Sequence, residues 1–183
     1  MSKTKDAGML QSNQSRSMIM NALLQLLQEN SFQKLTVKEV CDRAGVSRMT
    51  FYRYYHTIGE VFGCYLDGLL GEYYKGVTIQ DDYTENIRFM MHNMPFSKNL
   101  LGIIQKQGLQ KILTESLLKY ISKSSEQDNF YHMLGRRDLD VYHWHFISDV
   151  IVSVLMVWAE RGFKEGQDEL TEIYRRLLRV DQS

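Results

Sequence analysis

The chain has little of what punctuates, crosslinks or anchors a fold. Pro95 is its only proline, so helix is forbidden by a missing backbone donor at one place alone. Cys41 and Cys64 are its only cysteines, at no metal or redox spacing. They exclude a disulfide framework and a cysteine-rich zinc site, and read as reduced residues of a cytoplasmic protein. Long apolar runs are missing too. Residues 147–159 are apolar but short, and Ser148, Asp149 and Ser153 interrupt them, so no membrane span is expected. No apolar run follows the N-terminal lysines, so no signal peptide is expected. Net charge is absent, 22 Lys+Arg against 22 Asp+Glu.

The signatures of catalysis are likewise missing. There is no glycine-rich phosphate loop and no nucleophile motif, so no enzyme, no catalytic residue and no cofactor is expected. His143 and His145 lie two apart. On a helix they point about 200° from each other and cannot share a metal. His92 and His132 have no companion Cys or carboxylate at ligand spacing, so no metal site is expected.

What is present is helix. Apolar residues recur at i, i+3 and i+4 through most of the 183 residues, which predicts an all-α fold. The balanced charge separates when the chain is divided. Residues 1–62 hold eight Lys+Arg and five Asp+Glu, or +3, and residues 63–183 hold fourteen and seventeen, or −3. The basic part coincides with the most informative segment, residues 36–60. Thr36 and Glu39 form a capping box ahead of an apolar stripe of Val37, Val40, Cys41 and Ala44. Gly45 suits a left-handed helix end, Val46 can plug the angle between helices, and Ser47 can cap the next one. That second helix, about 47–54, turns Phe51 inward with Val46 and Tyr55. It leaves Arg48, Met49, Thr50, Tyr52 and Arg53 on its other faces. Thr57 and Glu60 predict a further capping box. Two short helices at a tight turn, the second polar, have the shape of a helix-turn-helix DNA reader.

The run Ala44-Gly45-Val46-Ser47, then Tyr52 and Tyr55, resembles the N-terminal domain of the TetR/AcrR family of transcriptional regulators. Tyr55 stands where Phe is usual and Ile58 where the family has Lys, so one backbone contact is expected to be missing. Upstream, residues 18–27 supply the first helix, with Ile19, Ala22, Leu23, Leu26 and Leu27 on one face. The resemblance implies a three-helix DNA-binding domain at residues 15–62 behind a polar tail at 1–14. A helical body for dimerisation and ligand binding would follow at 63–183. Carried over, it implies backbone contacts from Thr36, Tyr52, Tyr54 and His56. Base readout falls to Arg48, Met49 and Thr50. Ser47 and Arg53 complete the candidate set. Two alternatives stay open: Arg48 touches phosphate only, or Tyr54 merely packs on a neighbouring helix.

The remaining two thirds predict helices near 58–74, 83–94, 97–107 and 109–124. A break falls at 76–82, Pro95 ends the second, and a polar loop follows at 122–129. Asp138 can cap a long helix at 139–161, apolar on most of its circumference, and Gly162 stops it. A last helix over 168–180 carries Ile173, Leu177 and Leu178 inward. A helix apolar all round must be covered on several sides, so a homodimer through residues 139–161 and 168–180 is expected. Residues 158–163, WAERGF, resemble the same region of TetR-type proteins and imply a four-helix interface. The resemblance also implies a small-molecule effector. Met90, Met91, Met94, Phe96, Ile104, Tyr120, Phe130 and Trp144 are candidates to line its pocket, or are ordinary core. Together these readings predict a sequence-specific regulator of double-stranded, palindromic DNA, more often a repressor. The alternative is a protein-interaction regulator on the same fold that reads little DNA.

Overall fold

The computed structural model describes residues 2–76, 83–125 and 141–178, and every described element is helical. The chain divides into two compact units, residues 1–65 and 66–183. The buried Val61 and Phe62 near the start of a helix fall within the first unit.

The first unit holds α1 (Ser2–Glu29), a 3-10 turn (Phe32–Lys34), α2 (Val37–Ala44), α3 (Arg48–Tyr54) and the start of α4 (Ile58–Gly76). Helix α1 packs against α2 and α3. Its stripe of Ile19, Ala22, Leu23, Leu26 and Leu27 is buried, as are Val40, Cys41 and Ala44 of α2 and Phe51 of α3. Each such large side chain contributes about 1.5–3 kcal/mol, so α3, with one fully buried residue, is held mainly through Phe51.

The segment 1–14, expected as a polar tail, is helical from Ser2, where α1 begins. No proline interrupts the run from Ser2 to Glu29, so the i→i−4 ladder has nothing to stop it. Tertiary contacts reach the extension as well, since Ser12 lies against the Tyr54 phenol, and one turn on Arg16 lies over the Tyr54 ring with its guanidinium carbon 5.2 Å from the centroid.

The second unit contains the rest of α4, then α5 (Tyr83–Asn93), α6 (Lys98–Gln107), α7 (Gln110–Ser125), α8 (Val141–Glu160) and α9 (Gln167–Leu178). Helix α5 ends two residues before Pro95. Ser97 accepts the Leu100 amide to start α6, and α7 runs on to Ser125, four residues into the segment expected to be loop. Helix α8 is central and packs against α6, α7 and α9. Trp144, Ile147, Ile151, Val152, Leu155, Met156 and Trp158 are buried, while Val141, Tyr142, Phe146 and Val157 are exposed. Two helix carbonyls on α8 take extra donors: the Ser148 hydroxyl reaches Trp144 O at 2.8 Å and the Tyr174 phenol reaches Ile151 O at 2.6 Å. Burial pushes the Tyr174 phenol up.

Two expectations for this unit change. Helix α9 buries Leu170, Thr171 and Tyr174, not Leu177, which is 51% exposed, while Ile173 and Leu178 are half-buried. Residues 170, 171 and 174 share one helical face, and 173 and 177 share another. Second, α8 has 20 residues with a mean hydropathy of 1.3, long and apolar enough to cross a bilayer. Its contacts with α6, α7 and α9 are instead those of a core helix. Phe130, Asp138 and Leu139, residues 77–82 and residues 179–180 lie outside the described residues.

Candidate nucleic-acid interface

The reading head is built by caps before any contact with a ligand. The Thr36 amide donates to Glu39 Oε2 at 2.8 Å, the Thr36 hydroxyl donates to the same oxygen at 2.7 Å, and the Glu39 amide donates back to Thr36 Oγ1 at 3.3 Å. These bonds hold the Glu39 carboxyl below its ordinary value. At the other end of α2, Gly45 adopts φ 66° and ψ 30°. The left-handed region costs an L-residue about 1–2 kcal/mol and glycine nothing. The chain thereby reverses within two residues, and Ser47 Oγ accepts the Thr50 amide at 3.0 Å to start α3.

Helix α3 is seven residues long, about 10 Å. Phe51 is buried, with edge contact to Tyr52 at 5.5 Å. The outer surface carries Arg48, Met49 (77% exposed), Tyr52 (53% exposed) and Arg53. These four expected residues come together on one solvent-facing surface. The others are partly committed elsewhere. The Thr36 and Ser47 hydroxyls serve their helix starts, and Thr50 Oγ1 lies 3.0 Å from Ser47 Oγ. The His56 amide donates to Glu60 Oε2 at 2.6 Å. The expected box of Thr57 with Glu60 is therefore modified, because Glu60 donates its amide to Thr57 Oγ1 at 3.1 Å but receives His56 rather than Thr57 in return. Tyr54 is half-buried and packs on α1, its phenol lowered chiefly by a hydrogen bond with Ser12 and then by Arg53 and Arg16. The Ser12 and Arg16 contacts were missed in the sequence, although their i, i+4 spacing places them on one helix face.

The electrostatics favour a polyanion. Arg43 is paired with Glu29, with nitrogen–oxygen distances of 2.8 and 3.3 Å. Arg16, Lys34, Arg48 and Arg53 form no salt bridge with a carboxylate among the described residues. A cluster of cations around a short exposed helix has the charge that the phosphates of a nucleic acid attract.

In the second unit, a groove of about 640 Å3 between α7 and α8 is lined by Lys111, Glu115, Leu118, His145, Asp149 and Met156, among others. Another of about 480 Å3 between α8 and α9 is lined by Val154, Val157, Trp158, Leu170, Ile173 and Leu177, with Arg161 and Glu165. None of the expected pocket residues that are described lines either of these two grooves. Ile104 is fully buried, Phe96 and Trp144 are core, Met90 and Met94 are half-buried, and Tyr120 stacks on Tyr74 at 5.7 Å. No group of three His, Cys, Asp or Glu among the described residues is placed to hold a metal.

A capped helix, a left-handed glycine turn and a second capped helix with an exposed polar face define a helix-turn-helix DNA-binding domain. Residues 19–63 match the family model for bacterial regulatory proteins of the tetR family. Residues 19–63 therefore carry the DNA-binding domain characteristic of the tetR family. A search of curated proteins finds no match. Among solved structures, the fold is similar to that of Lin0861 from Listeria innocua, with a TM-score of 0.76 at 17% identity over 94% of this chain and 93% of that one. A TetR transcriptional regulator from Rhodococcus sp. RHA1 matches at 15% identity with a TM-score of 0.45, covering 94% and 99%. The fatty acid degradation regulator FadR from Bacillus halodurans matches at 17% with 0.42, covering 92% and 96%. The last two superpose too loosely to carry an argument.

Proposed function

We propose that the protein is a cytoplasmic, homodimeric transcription repressor that binds a palindromic operator and is released by a small-molecule effector. The observation that carries the DNA reading is the exposed face of α3, where Arg48, Met49, Tyr52 and Arg53 stand together without acidic partners among the described residues. Arg48 suits guanine O6 and N7, and Met49 a thymine methyl. One seven-residue helix touches too few base pairs for useful specificity, whereas two heads about 34 Å apart read a palindrome. The dimer reading draws on exposed Val157 and Leu177 with half-buried Val154 and Ile173, an apolar strip along α8 and α9. Cytoplasmic placement and repression follow the habit of the family, as does an effector site within the second unit.

A second reading, a protein-interaction regulator with weak DNA binding, is favoured by one observation: α4 opens with Ile58, where the family pattern has lysine. A gel shift against the DNA upstream of its own gene, at about 100 mM salt, separates the two. A discrete complex that survives random competitor supports the repressor. Weak retardation that is indifferent to sequence supports the interaction regulator.

A further inference from the structure

We propose that Arg16 of α1 is a phosphate-binding residue of the DNA interface, positioned by the ring of Tyr54 on α3. The inference rests on the DNA-binding reading and extends it to a helix that supplied no candidate residue from sequence.

Arg16 is exposed and lies over the Tyr54 ring, its guanidinium carbon 5.2 Å from the centroid. Contact with the ring face engages the charge of the cation but leaves N–H donors available to a planar or tetrahedral anion. No carboxylate among the described residues pairs with Arg16, in contrast to Arg43, which Glu29 neutralises. One turn earlier on the same helix, Ser12 shares a hydrogen bond with the Tyr54 phenol. Two contacts from α1 thus fix Tyr54, and through it they hold Arg16 beside the last turn of the reading helix. The chain beyond α3 cannot supply this charge. Tyr55, His56, Thr57 and Ile58 include no lysine or arginine, and Glu60 at the start of α4 is anionic. A duplex lying along α3 would meet Arg53 from that helix and Arg16 from α1.

Phosphate contacts are read by salt dependence, independent of operator sequence. The test is fluorescence anisotropy with a labelled 30-base-pair duplex of arbitrary sequence, from about 50 to 200 mM KCl. Absence of salt-dependent binding by the wild-type chain would sink the DNA reading itself. If the wild type binds, R16Q should lower the slope of log K against log salt by about 0.9 per protomer engaged. Across this range that is roughly a 3.5-fold smaller loss of affinity for each contact removed. R16K should restore most of the slope. A wild-type slope in R16Q, even with a lower melting temperature, would make Arg16 a structural pin and overturn the proposal. Should R16Q not fold, phenylglyoxal modification of the wild-type chain mapped by mass spectrometry decides the question. Protection of Arg16 by the duplex supports the proposal, and equal modification with and without DNA refutes it.

Discussion

Alanine replacing each of three glycines should have three different outcomes, because each glycine is present for a different physical reason. Gly68 lies within α4, and a Cβ built there meets nothing within 4 Å. Removing the helix penalty of glycine should stabilise the protein by about 1 kcal/mol. Gly45 has φ 66°, and its Cβ would meet only Met18 Cε at 4.0 Å, an ordinary contact. The cost there is backbone strain alone, about 1–2 kcal/mol, offset by about 0.4–1 kcal/mol from the less flexible unfolded chain. The net loss is about 0.5–1 kcal/mol, and Gly45→Asn should recover part of it. At Gly71 the backbone is unstrained but the Cβ would sit 3.0 Å from the Tyr120 hydroxyl and 3.6 Å from Cζ. Tyr120 cannot easily retreat. Its phenol donates to Asp67 O at 2.7 Å and its ring stacks on Tyr74, interplanar angle 3°. Overpacking of about 1–3 kcal/mol therefore exceeds the gain in helix propensity of about 1 kcal/mol. Thermal unfolding followed by circular dichroism should rank Gly68→Ala above wild type, with Gly45→Ala and Gly71→Ala below, at about 2–8 °C per kcal/mol. A Gly45→Ala variant that melts above wild type would refute the left-handed cap, and with it the reading of the turn.

Other perturbations act on the interfaces and on charge. Arg48→Ala should weaken operator binding by about 1–3 kcal/mol and leave random DNA nearly unaffected, as measured by competition; equal losses on both would assign Arg48 to the backbone. Leu177→Glu should shift sedimentation from dimer to monomer while the helical spectrum persists, since Leu177 is exposed within one chain. Arg43 lowers the Glu29 carboxyl and Thr36 lowers Glu39, both below the ordinary value of 4.5. Groups depressed in the folded state contribute stability above that value, and the contribution is lost as pH falls through the folded values. Melting temperature should therefore drop on acidification below about pH 4.5, and Glu29→Gln with Glu39→Gln should flatten the slope.

The local punctuation was legible in the sequence because its physics is local. Thr36, Gly45 and Ser47 act on amides within three or four residues, and each does in the structure what its type and spacing imply. The apolar stripe of α1 was legible for the same reason, a period of 3.6. What was not legible depends on partners distant in sequence. The helix runs back to Ser2, and its Arg16 meets Tyr54, a pairing 38 residues apart that no periodicity announces. Leu177 was assigned inward because α9 is amphipathic, yet an amphipathic pattern does not say which of two adjoining faces meets its own chain. The pocket candidates are ambiguous for a different reason. Methionine and aromatic residues serve core and cavity alike, and Ile104, Phe96 and Trp144 were taken into core.

Selection of binding sites from a random double-stranded library probes the central claim most directly. Recovery of an inverted repeat, with half-sites about one helical turn or a multiple apart and enrichment lost in Arg48→Ala, is the outcome expected of two α3 helices reading together. A library that emerges without any enriched sequence, although the protein is folded and dimeric, would contradict it.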